Sequence, residues 1–176
     1  MGRKLTSYNG NDCIYTPIEM ARKIVNFINP KGCILEPCRG DGAFTSVFDS
    51  MELKYEWCEI QEGIDFFDKK STNANWMITN PPFSKVTKFL KKTIELGIPN
   101  IALLVTINSI WMNGKLNLLK DNGYQLKEIH FIESPYFRRM NGWKQSGFSL
   151  GVLVIKKDTS NTTAVSTNLK TGEIIW

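Results

Sequence analysis

Asn80-Pro81-Pro82-Phe83, directly after the apolar run Trp76-Met77-Ile78-Thr79, is the part of this chain best suited to chemistry. The Asn side-chain oxygen and the Pro81 carbonyl are two fixed acceptors, and Pro82 brings no backbone N–H to compete for them. An exocyclic amine that donates both hydrogens to this pair has its lone pair localised and aimed at an electrophile. Phe83 adds a face against which a flat group can stack. The tetrad therefore predicts a planar amine held and made nucleophilic at the end of a strand.

Glu36-Pro37-Cys38-Arg39-Gly40-Asp41-Gly42 is the second such segment. Gly40 and Gly42 allow the backbone to approach a ligand closely. The turn is not G-x-G-x-x-G and has no Lys-Ser/Thr pair, so it predicts no phosphate cradle. Glu36 and Asp41 favour a cation instead. A tight strand-to-helix turn accounts for the same residues equally well. Cys58-Glu59-Ile60 puts a carboxylate 19 residues after Gly40, where an acid characteristically bonds ribose hydroxyls; an ordinary exposed Glu is the plainer reading. Asp65-Phe66-Phe67 could offer a carboxylate to an amino group and a ring to its base, or a turn Asp ahead of two core phenylalanines.

The elements that must position these residues follow from periodicity. Thr16-Pro17-Ile18-Glu19 reads as a capping box with Pro at the first helical position, followed by an apolar stripe at Ala21, Ile24, Val25 and Ile28. Strands are predicted at Cys33–Glu36, Tyr55–Ile60, Trp76–Thr79, Ile101–Ile107, Gln125–Ile132 and Phe148–Lys157, and further helices at Ala43–Asp49, Ser84–Leu96 and Lys115–Asp121. This alternation predicts a doubly wound, mostly parallel α/β sheet with helices on both faces and its ligand at the carboxyl ends of the strands. Both chemistry-bearing segments fall at such ends.

The 176 residues suit one domain, residues 1–157, with a Thr/Ser/Asn-rich tail over 158–176 that is weakly hydrophobic until Ile174-Ile175-Trp176. No apolar run approaches a membrane span and the first residues lack a signal-peptide core, so a cytoplasmic protein without membrane association is expected. Cys13, Cys33, Cys38 and Cys58 match no zinc spacing, and His130 is remote from them; reduced structural thiols and no metal are expected. The net charge of +5 permits a polyanionic partner without demanding one.

Taken in order, these segments resemble the S-adenosylmethionine-dependent amino-methyltransferases, most closely the γ group of DNA adenine methyltransferases. Tyr15-Thr16-Pro17, Glu36-Pro37 with Gly40-Asp41-Gly42, Glu59-Ile60, Asp65-Phe66 and Asn80-Pro81-Pro82-Phe83 fill the family's places, and Ser146-Gly147-Phe148 looks like its closing motif. The resemblance implies a seven-stranded Rossmann-like methyltransferase sheet and S-adenosylmethionine as cofactor. It places Tyr15, Thr16 and Pro17 at the methionine end, Glu36 and the Gly40–Gly42 backbone on the amino-acid portion, Glu59 on the ribose, and Asp65 and Phe66 on the adenine. Asn80 and Pro81 would orient the target amine, with Phe83 and Trp143 sandwiching its base.

A duplex base cannot reach such a pocket unless extruded. Phe137, Arg138, Arg139, Trp143 and Lys144 interleave basic and aromatic residues, as backbone contact with base stacking requires, although a solvated loop with core aromatics has the same composition. DNA is the expected partner, with RNA next. Only 19 residues follow the last predicted strand, so specificity is expected from the Glu133–Gly147 loop, a recognition subunit or a second copy, or is lacking. An RNA amino-methyltransferase, a glutamine methyltransferase and a silent nucleic-acid-binding relic are the competing readings.

Overall fold

A computed structural model describes residues 14–111, 114–132, 136–139, 142–145, 149–158 and 165–168, with the backbone alone at Trp111 and in the segments 136–139, 142–145 and 165–168. Cys13, the Ser146-Gly147-Phe148 motif and Ile174-Ile175-Trp176 lie outside the described residues. The elements run β1 (Ile14–Tyr15), α1 (Ile18–Ile28), β2 (Ile34–Glu36), α2 (Ala43–Ser50), β3 (Tyr55–Trp57), β4 (Trp76–Thr79), α3 (Val86–Glu95), β5 (Asn100–Thr106), α4 (Lys115–Asp121), β6 (Tyr124–Ile132), β7 (Tyr136–Arg139), β8 (Gly142–Gln145), β9 (Leu150–Lys157) and β10 (Val165–Asn168).

Six strands of the predicted set form one open sheet in the order β6-β9-β5-β4-β2-β3. The pairs β2–β3, β2–β4 and β4–β5 are parallel, and β9 runs antiparallel between β5 and β6. β10, from the polar segment after Lys157, pairs in parallel with the outer edge of β6. The predicted strand Tyr55–Ile60 stops at Trp57, because Ile60–Glu62 turns into a short 3-10 helix capped by Glu59. The predicted helix Ser84–Leu96 begins at Val86, after a 3-10 turn over Phe83–Lys85.

Each central strand distributes its side chains to two cores, since consecutive residues of a strand point to opposite faces. Leu35, Met77, Leu103 and Leu153 pack with Phe89 and Leu90 of α3 and Leu119 of α4. Ile34, Ile78, Ala102 and Val152 pack on the other face with Ala21, Ile24 and Val25 of α1 and Phe44, Val47 and Phe48 of α2. Burial on both faces explains the near-continuous apolar sequence of β4 and β5. Phe83 touches both cores, which places it at the end of the sheet rather than on one side.

A second sheet is small and built from distant segments. β7 and β8 form a hairpin, and β1 pairs antiparallel with β7 so that Ile14 faces Arg139 and Tyr15 faces Arg138. Thr16 does not form the capping box read from the sequence. The N-cap of α1 is Pro17 and no side chain caps the helix, because the Thr16 hydroxyl is engaged at Asn80 instead.

Candidate active site

β4 delivers Asn80 to the carboxyl end of the sheet, and two acceptors fix its carboxamide there. Asn80 Nδ2 donates to the Ile14 carbonyl and to Thr16 Oγ1, both at 3.1 Å. A carbonyl can only accept, so the nitrogen must face Ile14 and Oδ1 must face away. No described residue donates to Oδ1. Pro81 is buried, while Pro82 and Phe83 are half-buried. The Asn80 carboxamide, one half of the acceptor pair expected from the tetrad, is thus oriented by Ile14 of β1 and by Thr16 just after it.

The Glu36–Gly42 turn is shaped by two carboxylates. Glu36, 1% exposed, accepts the Cys38 N–H through Oε1 at 3.0 Å. Its Oε2 is buried without a hydrogen bond of regular geometry, as is Thr79 Oγ1. Burial pushes the Glu36 carboxyl up to about 8, partly offset by the Thr79 hydroxyl and the Cys38 N–H and reinforced by the Glu59 charge. Burial also raises the Cys38 thiol well above its ordinary value, with Glu36 adding to the effect. Cys38 therefore stays a neutral thiol.

Glu59 is 4% exposed and clamps the turn: Oε2 accepts from Gly40 N–H at 2.7 Å and Oε1 from Gln61 N–H at 3.0 Å. The residue expected to meet a ribose is thus also the strut that holds Gly40 in place. Gly40 has φ +57°, and a Cβ added to it would lie 3.4 Å from the Tyr15 ring. Gly42, at φ +89°, is the N-cap of α2. Both positions favour glycine for their backbone conformation. Arg39 lies over the Trp57 ring at 4.7 Å and pairs with Glu62, folding its charge along the rim of the turn.

Cys38 lines two clefts. One, of ≈ 250 Å³, is lined by Ile14, Tyr15, Thr16, Cys38, Arg39, Gly40, Asp41, Ala43, Phe44 and Asn80. The other, of ≈ 330 Å³, is lined by Pro37, Cys38, Ile60, Asp65, Phe66, Phe67, Pro82, Lys85 and Phe89. Of the expected residues, Tyr15, Thr16, Gly40, Asp41 and Asn80 line the first and Pro37, Ile60, Asp65, Phe66 and Pro82 the second, whereas Pro17, Glu36, Gly42, Glu59, Pro81 and Phe83 line neither. Asp65 uses Oδ1 to accept from Phe67 N–H at 2.9 Å. Phe66 is 2% exposed and stacks on Phe89 at 5.2 Å, while Phe67 is half-buried. The ring predicted to cover a base is thus largely committed to the core, and Phe67 beside it shares the lining.

Sequence reasoning did not single out Cys38, Phe67, Lys85 or Ile14. Cys38 lies within the Glu36–Gly42 turn and Phe67 directly follows Asp65-Phe66. Ile14 contributes a backbone carbonyl, for which no side-chain signal exists. Phe137, Arg138, Arg139, Trp143 and Lys144 fall in the β7–β8 hairpin, where Arg138 is opposite Trp143 and Phe137 opposite Lys144 in the ladder. Among the described residues no cluster of three or more His, Cys, Asp or Glu could hold a metal ion, and no helix is long and apolar enough to cross a membrane.

No family model matches the chain, and no curated protein matches it by sequence. Solved structures share its fold. A crystal structure described as a putative RNA methyltransferase from Pyrococcus horikoshii superposes with a TM-score of 0.63 at 10% identity, covering 90% of this chain and 93% of that one. The type I restriction enzyme EcoKI M protein gives 0.57 at 15% identity over 88% of this chain, which spans about half (48%) of that protein. An S-adenosylmethionine-dependent O-methyltransferase from Thermotoga maritima gives 0.54 at 14% identity, covering 93% and 70% of the two chains. The fold is thus the Rossmann-like α/β fold found in methyltransferases.

Proposed function

We propose that this protein transfers a methyl group from S-adenosylmethionine to the exocyclic amine of adenine in DNA, with the base extruded or single-stranded. One observation carries the reading: the Asn80 carboxamide is fixed by its nitrogen, so that Oδ1 is left to accept from an amine beside the Pro81 carbonyl. The cofactor fits the residues present. Glu36 Oε2 is a buried acceptor without a hydrogen bond of regular geometry, and burial pushes its carboxyl up to about 8, with the Glu59 charge adding to the shift. S-adenosylmethionine would bring an ammonium and a sulfonium to the cleft that begins at Gly40, and supplies the electrophilic methyl.

In this reading Tyr15, Thr16, Pro17, Glu36, Pro37 and the Gly40-Asp41-Gly42 backbone flank the methionine end, Glu59 and Ile60 the ribose, and Asp65 and Phe66 the adenine. Asn80 Oδ1 and the Pro81 carbonyl accept the two hydrogens of the target amine. Its lone pair is thereby held out of the ring, and no strong base is needed because the methylated amine is acidic enough to lose its proton afterwards. Positioning of this kind can supply roughly 7–11 kcal/mol of barrier reduction. Phe83, at the end of both cores, offers the base a face, and the hairpin bearing Phe137, Arg138, Arg139, Trp143 and Lys144 is the nucleic-acid surface.

The test is to incubate the protein with methyl-labelled S-adenosylmethionine and separate pools of DNA and RNA, then digest to nucleosides for mass spectrometry. Label is expected in N6-methyladenine from DNA, and Asn80→Ala should abolish transfer while leaving cofactor affinity within about twofold. Label confined to RNA would refute the DNA assignment, and undiminished transfer by Asn80→Ala would refute the role of the tetrad.

A further inference from the structure

The acceptors that orient Asn80 come from β1 and the residue after it, 64 to 66 residues away, and both lie within three consecutive residues. Ile14 supplies its carbonyl and Thr16 its hydroxyl. Without them the carboxamide could turn over, since its oxygen and amino ends are nearly equal in size. A flipped Asn80 would present an NH₂ donor to a substrate amine that is itself a donor, and the hydrogen-bond pairing would fail.

The Thr16 hydroxyl has forgone an alternative that the local sequence offers. Thr at this place, with Glu19 three residues on, is arranged to cap α1, yet the helix takes Pro17 as its N-cap and no side chain caps it. Thr16 is 8% exposed, and its oxygen meets Asn80 Nδ2 instead.

From this we infer that Thr16 is a positioning residue, acting with the Ile14 carbonyl to fix which end of the Asn80 carboxamide faces the substrate. Thr16 thereby controls the methyl-transfer step rather than cofactor affinity. The inference rests on the proposed amino-methyltransferase reading and changes the part Thr16 plays in it, from flanking the cofactor to orienting the acceptor. A second consequence follows from the ladder: β1 is also the strand on which the β7–β8 hairpin is zipped, Ile14 opposite Arg139. The acceptor that meets Asn80 and the element proposed to meet nucleic acid share one two-residue strand.

The experiment compares Thr16→Val, which keeps the shape and removes the hydroxyl, with Thr16→Ser, which keeps it. Single-turnover methyl transfer at saturating cofactor should fall about tenfold in Thr16→Val and recover to within about threefold in Thr16→Ser, as expected for loss and rescue of one hydrogen bond. Cofactor Kd should stay within about twofold in both. The side-chain amide of Asn80, identified in a ¹H–¹⁵N spectrum as the pair missing from Asn80→Ala, supplies a readout that needs no turnover. Its two protons should be distinct and slowly exchanging in the wild type and Thr16→Ser, and averaged or shifted in Thr16→Val. A Thr16→Val protein that loses cofactor affinity but transfers at the normal rate when saturated would overturn the inference, as would an Asn80 amide signal indifferent to the substitution. A wild-type protein that shows the locked amide but methylates no nucleic acid would support the lock and refute the proposed reaction, so the two failures are distinct.

Discussion

Glu36 shows how a single buried carboxyl can tie stability to ligand binding. In the unfolded chain its pKa is the ordinary 4.5, whereas in the folded protein burial raises it to about 8. The folded state therefore binds the extra proton between those values. Its contribution to stability is fully present below pH 4.5, declines as the pH rises, and is lost above about pH 8, where folding must bury the charge. The shift corresponds to a few kcal/mol at most. Glu36→Gln keeps the shape and removes the titration. Urea unfolding of the ligand-free protein should show wild-type stability falling between pH 5 and pH 8 and a flatter profile in Glu36→Gln, with the variant the more stable of the two at pH 8.5. Cofactor binding should move the other way, because a cation in the adjoining cleft favours the ionised carboxylate. Wild-type binding at pH 7 should release a proton from this carboxyl, visible as a dependence of the binding enthalpy on buffer ionisation that Glu36→Gln lacks. Parallel pH profiles for the two proteins would show that Glu36 is not the group responsible.

At the scale of elements, the sheet that carries the site depends on a close approach that only glycine permits. Gly151 of β9 lies between β5 and β6, and a Cβ placed on it would sit 2.8 Å from the His130 carbonyl oxygen and 2.9 Å from Ile107 Cγ1. Ile107 can shift, but the His130 carbonyl belongs to a ladder that pairs His130 with Val152 and cannot yield without disturbing β6 and β9. Gly151→Ala should therefore destabilise the fold by roughly 1–3 kcal/mol, as overpacking of a rigid core does. A lowered urea midpoint with an unchanged slope would express this; an unchanged midpoint would mean that the strands separate freely there. Nothing in the sequence around Gly151 announces the constraint, because it arises from the partner strand. The same distinction governs the rest. β4 and the tetrad were legible together, since the apolar run and Asn80-Pro81-Pro82-Phe83 are contiguous and fix both the strand and where it stops. The two-faced core was legible from the alternation of helical and strand periods. Thr16 was misread as a cap because its partner is 64 residues away, while the competing signal, Glu19, is three residues away. Phe66 was legible as a neighbour of Asp65, but its stacking on Phe89 of α3 could not be read before α3 was placed. The double use of Glu59, as a turn strut as well as a cleft carboxylate, follows from a contact with Gly40 that the local pattern at Cys58-Glu59-Ile60 does not encode.

For the molecule as a whole, charge bears on whether nucleic acid is the partner, and the global value decides little. A net +5 from 22 basic and 17 acidic residues is spread over the chain, and fields from distant surface charges are screened over about 8 Å at physiological ionic strength. Local density is more informative. Residues 136–145 contain Arg138, Arg139 and Lys144 and no acidic residue, and this hairpin is joined to the site through β1. If it meets a phosphate backbone, each neutralised phosphate releases counterions, and log K falls with log salt by about 0.9 per contact on duplex DNA or about 0.7 on a single strand. Replacing Arg138 and Arg139 together with Ala should therefore lower the steepness of the salt dependence by about 1.4–1.8 and weaken binding about equally across unrelated sequences. Cofactor affinity measured without nucleic acid provides the control, since β7 contacts the site through the backbone of β1. Fluorescence anisotropy across a salt series measures the slope directly. An undiminished slope would remove these arginines from the nucleic-acid surface. A reduced slope with equal affinity for single strands and duplex would instead fit a protein that acts on bases already exposed, with no extrusion to drive.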